Sequence, residues 1–123
     1  MAYDSDRDTT LEADETQDLI SSEKVDGTAV YSADGDKLGS IHHFMVGKRD
    51  GNVRYAVLSF GGLFENRYHP IPWNELTYNT DDDGYRISLT KDELKNAPSY
   101  DAANEPNYDR TYDREIDEYY SGI

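Results

Sequence analysis

From residue 27 to residue 60, apolar positions gather into three runs separated by glycine-bearing turns. Gly27–Tyr31 (GTAVY) predicts a first strand, closed by Ala33-Asp34-Gly35-Asp36, a turn of the hairpin kind. Lys37–Val46 predicts a second, longer strand, and Lys48-Arg49-Asp50-Gly51-Asn52 turns it into a third, Val53–Phe60. There Val53, Tyr55 and Val57 alternate with Ala56, Leu58 and Phe60, so both faces are apolar, the pattern of a central strand covered on both sides. Two short strands follow, Arg67–Ile71 and Leu76–Tyr78, around Pro72-Trp73-Asn74-Glu75. A sixth, Tyr85–Leu89, alternates Tyr85, Ile87 and Leu89 with Arg86 and Ser88. Thr90-Lys91-Asp92-Glu93 has the Thr-x-x-Glu spacing of a capping box and predicts one short helix ending before Pro98. Six short strands at intervals of about ten residues predict a mainly β chain, a small antiparallel barrel whose closure would leave no exposed edge.

Charge divides the chain into three. Of the net −14, residues 1–23 carry −7 (eight acids, one base), residues 24–100 carry −2 (eleven and nine) and residues 101–123 carry −5 (seven and two). Residues 1–18 therefore read as an acidic disordered arm, 19–100 as the folded domain, and 101–123 as an acidic tail, disordered or folding on a partner or on its own barrel. Such acidity opposes binding to nucleic acid or anionic membranes. The absence of cysteine excludes disulfides, thiolate catalysis and thiolate zinc sites. With no apolar run of membrane-spanning length and an acidic N-terminus, a cytoplasmic location is expected.

The residues that bear chemistry point away from an enzyme. Gly61-Gly62 leads into Leu63-Phe64 and another strand, not into a helix, so it is a chain reversal rather than a phosphate loop. Asn79–Gly84 resembles the first half of a calcium loop, but Thr90 stands where its closing glutamate belongs. His42 and His43 are adjacent on a strand, which aims them at opposite faces and keeps them from chelating one metal; His69 could join one of them only if the fold brought it there. Ser59 lacks the flanking glycines of a nucleophile elbow. No catalytic residue, cofactor or metal is expected. The tail from Tyr100 onward holds five of the eleven tyrosines, and Tyr108-Asp109-Arg110 recurs as Tyr112-Asp113-Arg114. As a helix it would put Tyr108, Tyr112, Ile116 and Tyr119 or Tyr120 on one face. The candidate interaction residues are accordingly Gly61, Gly62, Leu63, Phe64, Trp73, Tyr108, Tyr112, Ile116 and Tyr119.

Several blocks resemble, in order and spacing, the PRC-barrel family: LISSEKVDGTAVYSADGDKLGSI, VRYAVLSFGG, RYHPIPWNELTY and LTKDELKNAPSY, over about Leu19 to Tyr100. The family is related to the cytoplasmic domain of the photosynthetic reaction centre H subunit and to the C-terminal domain of the ribosome maturation factor RimM. The resemblance implies a small β-barrel working as a non-enzymatic binding or assembly module, without catalytic residues to carry over. The H subunit's anchoring helix and the maturation factor's N-terminal domain have no counterpart in these residues. The function expected is thus a protein-binding module that self-associates as a homo-oligomer, a dimer being favoured because a core of this size gains from association. The alternatives are a ribosome- or RNA-associated assembly factor, by kinship, and a small-ligand or metal-binding barrel.

Overall fold

The computed structural model describes residues 19–60 and 67–122. The chain enters through a single helical turn, α1 (Ser22–Val25), capped by the Ser21 side chain, which accepts from the Glu23 amide. Then come β1 (Ala29–Tyr31), β2 (Lys37–Val46), β3 (Val53–Phe60) and β4 (Arg67–Pro72), a 3-10 turn at Trp73–Glu75, β5 (Thr77–Asn79) and β6 (Gly84–Arg86). Helix α2 (Lys91–Lys95) carries the capping box its sequence predicts, with Thr90 and Glu93 bonded reciprocally. Last come a two-residue strand, β7 (Tyr100–Asp101), and a three-turn helix, α3 (Arg110–Ser121).

All seven strands belong to one sheet, in the order β5-β6-β1-β2-β3-β4-β7. Two expectations need correcting. The described strands do not close into a barrel, because β5 and β7 stand at the two ends of the order. Nor is the sheet wholly antiparallel: β1 pairs with β6 in parallel, Val30 opposite Tyr85 and Tyr31 opposite Arg86. A parallel pair cannot be joined by a tight turn, and here everything from β2 to β5 forms the connection. Gly84 lets β6 approach. A Cβ there would lie 2.6 Å from the backbone oxygen of Ala29, with no flexible side chain to yield. Gly84→Ala is therefore expected to lower stability by about 1–3 kcal/mol, read as a drop in urea midpoint at unchanged slope; an unchanged midpoint would refute the close approach.

The tight turns follow their sequence signals. At the first, the buried Ser32 hydroxyl accepts from the amides of Asp34 and Asp36, and Gly35 takes a positive φ of 91°. At Asn79–Gly84 the Asn79 side chain accepts from the amides of Asp81 and Asp82, Asp82 pairs with Arg86 at 2.7 Å, and Asp83 accepts from the Tyr78 hydroxyl. The run of acids thus serves a turn between β5 and β6.

The core gathers Val30, Leu38, Ile41, Leu58, Ile71 and Leu94, among others, and extends to Ile116 and Tyr120 of α3. Strand β3 is buried on both faces from Tyr55 to Leu58, as its unbroken apolar pattern predicts. The core does not stop at Tyr100, where the sequence placed the domain boundary. Of the readings open for the tail, the structure shows it packed on its own domain, supplying Ile116 and Tyr120 to the core, because a helix with an apolar stripe gains more by burying it than by solvation.

Candidate interaction surface

Helix α3 forms where the four-residue spacing predicts. Asp109 caps it, its carboxylate accepting from the Tyr112 amide at 3.0 Å, and Asp113 adds negative charge to the first turn. Ile116 is 0 % and Tyr120 4 % exposed, and Tyr112 and Tyr119 are half-buried, while Asp113, Glu115, Asp117 and Glu118 face solvent. The helix thus turns its Tyr/Ile stripe inward and its carboxylates outward. At its C-terminal end the Tyr119 hydroxyl donates to the backbone carbonyl of Glu93, tying α3 to α2.

Ahead of the helix, tyrosines join the tail to the sheet. The Tyr108 ring lies 5.8 Å from that of Tyr55 on β3 and 5.3 Å from Tyr112. Its hydroxyl donates to that of Tyr100 at 3.3 Å, and Tyr100 packs edge-on against Tyr68 of β4, its partner in register. Burial pushes the Tyr112 hydroxyl up to about 12 and raises those of Tyr108 and Tyr120 further. The hydroxyls of Tyr112 and Tyr120 are buried with no hydrogen-bond partner among the described residues, each costing about 1–3 kcal/mol of desolvation. This seam is built of aromatic rings, but its hydroxyls are incompletely satisfied.

It is also incompletely sealed. A cavity of ≈ 390 Å³ between the β2–β3 turn and the start of α3 is lined by Met45, Lys48, Arg54, Tyr55, Tyr108 and Asp113. A second, also ≈ 390 Å³, is lined by Arg54, Pro72, Trp73, Asn74, Asp113 and Asp117. They share Arg54, Tyr55 and Asp113, so a polar groove runs along one flank of the helix.

The remaining candidates separate. Trp73 is half-buried, edge-on to Phe44 at 5.4 Å and tilted against Tyr85 at 5.5 Å, packed against the core and at the rim of the second cavity. Gly61, Gly62, Leu63 and Phe64 lie outside the described residues. His69 sits on the core side of β4, opposite Leu58 and 5.4 Å from the Phe60 ring, whereas His42 packs on Tyr68, the neighbour of His69 that faces the other way; the fold does not bring His69 to the pair. For His42 and His43 the geometry overturns the expectation. The register of β2 on β3 slips between Ile41 and His43, and this bulge turns the two rings towards each other, with Nδ1 to Nδ1 at 2.7 Å.

A PRC-barrel domain model matches residues 17–94. The chain belongs to the PRC-barrel family. This PRC-barrel chain is also 35 % identical over 78 residues to an uncharacterised protein of Deinococcus radiodurans, an alignment covering 62 % of the chain but only 27 % of that relative. Helix α3 therefore lies beyond the matched PRC-barrel residues while contributing to their core. No helix among the described residues is long and apolar enough to cross a membrane.

Sequence reasoning found the stripe of the tail but missed its receptor: Tyr55 of β3, Tyr100 of β7 and the Glu93 carbonyl. The doubly apolar pattern of β3 was the one available signal that its second face needs a cover. A backbone carbonyl has no signature in sequence at all.

Proposed function

We propose that this PRC-barrel chain is a non-catalytic protein-binding module whose β3–β4 side accepts an amphipathic, tyrosine-bearing helix. Its own α3 fills that place within one copy, and exchange of α3 between two copies makes a dimer. The observation that carries the reading is the position of α3: outside the family-matched residues, yet burying Ile116 and Tyr120 in their core. Two unpartnered tyrosine hydroxyls and a groove along the helix support it, because both lower the cost of replacing this helix by another. The connection from Asp101 to Asp109 is largely exposed, as an exchange hinge requires.

Light scattering coupled to size exclusion tests the exchange. Removing Ala102–Asn104 shortens the hinge and prevents α3 from reaching its own sheet, so the shortened chain is expected to run as a dimer, and adding Ile116→Asp to it should return it to monomer. A shortened chain that stays monomeric, or a dimer indifferent to Ile116→Asp, removes helix exchange.

A further inference from the structure

Beside the α3 seam, the β2 bulge brings together two groups that the binding reading does not use. Consecutive residues on a regular strand point to opposite faces; here the slipped register sets His42 and His43 side by side, rings nearly perpendicular with centroids 5.0 Å apart. Two imidazole nitrogens 2.7 Å apart cannot both present lone pairs, so one Nδ1 holds a proton that the other accepts. A cation can replace that proton. With metal–nitrogen bonds of about 2.0–2.1 Å, two cis ligands stand roughly 2.9–3.4 Å apart, a few tenths of an ångström wider than this pair. His42 is exposed and can turn by that amount, while the Tyr68 ring 4.7 Å away backs it. His43 is half-buried, and burial, then the nearby His42, hold it below its ordinary proton affinity. The carboxylates of Asp26 and Glu105 act on His43 in the opposite sense, favouring positive charge beside it.

We propose that His42 and His43 form a two-nitrogen chelate for a borderline divalent transition-metal cation of the nickel, copper or zinc class. Paired neutral imidazoles select these ions over magnesium and calcium, which take oxygen ligands. Among the described residues no set of three or more histidine or carboxylate side chains converges, so the protein supplies two ligands and water completes the shell. His69, on the other side of the sheet, takes no part.

Calorimetric titration of the full chain with Ni²⁺ tests the site. One equivalent should bind in a histidine-dependent manner. Loss of an outer partner of a metal ligand already costs 10–100-fold, so His42→Gln and His43→Gln should each weaken binding by at least about tenfold. His69→Gln should leave it unchanged, and Mg²⁺ should show no dependence on either histidine. Circular dichroism of the two variants, unchanged because neither side chain belongs to the hydrophobic core, separates loss of ligand from loss of fold. Absence of histidine-dependent Ni²⁺ binding, or a loss confined to only one of the pair, overturns the chelate.

Discussion

Ile116→Ala is expected to lower the unfolding temperature by more than about 10 °C, far beyond any truncation on the solvent face of α3. The side chain is wholly buried at the centre of the helix stripe, four residues from Tyr112 and from Tyr120. Cutting a buried isoleucine back to alanine costs about 2–5 kcal/mol, combining lost transfer energy with the cavity left behind. In a domain of this size each kcal/mol moves the midpoint by about 4–8 °C. Alanine favours helix, so propensity cannot explain a loss. The control is Glu118→Ala on the solvent face, expected to stay within about 0.5 kcal/mol. A shift at Ile116 no larger than at Glu118 would mean that α3 is not part of the folded core. The same measurement bears on the proposed exchange, in which an incoming helix would have to match what α3 contributes when docked.

The second large effect is a pH dependence carried by His69. Its ring is 3 % exposed, its Nδ1 has no partner among the described residues, and burial, then the positive charge of Arg67, pushes it down to about 4 from an ordinary value of 6.5. Above 6.5 the residue is neutral in both folded and unfolded chains, and its contribution is fully present. As pH falls below 6.5 the unfolded chain takes up a proton that the folded core refuses until about 4, so stability drains across that window and drops no further below it. The depression corresponds to roughly 3 kcal/mol, at about 1.4 kcal/mol per pH unit. Urea unfolding of wild type and His69→Gln at pH 7 and pH 4 isolates this part from the titrating carboxylates, which both proteins share. Wild type should lose about 2–3 kcal/mol more than the variant over this range; parallel losses would show that His69 is not the group responsible.

What could be read in advance was local. Strands β2 and β3 begin and end where glycine turns and apolar runs place them, and the Thr90–Glu93 box forms as written. The family assignment also rested on local blocks, each keeping its own spacing. Choices of neighbour were not legible. The pattern of Tyr85–Ile87 says strand, but nothing in it says that Tyr85 will lie parallel to Val30; the only trace is Gly84, needed because another backbone is close. The tail shows the same division. Its four-residue repeat specifies a helix and a face, whereas docking depends on an apolar surface assembled from β3, β4 and β7. The register of β2 on β3 shifts between Ile41 and His43, and a two-residue motif carries no record of that.

The parallel pairing of β1 with β6 also sets an order of events. Strands β2, β3 and β4 are successive antiparallel neighbours and can assemble as each emerges, closing only short loops. The β1–β6 pair must wait for residues 84–86, so one edge of Val30's strand stays open until they have emerged. Loop-closure entropy grows only slowly with length, so this delay costs time more than stability. Helix α3 emerges later still, and a nascent copy meets its neighbours with the β3–β4 side uncovered.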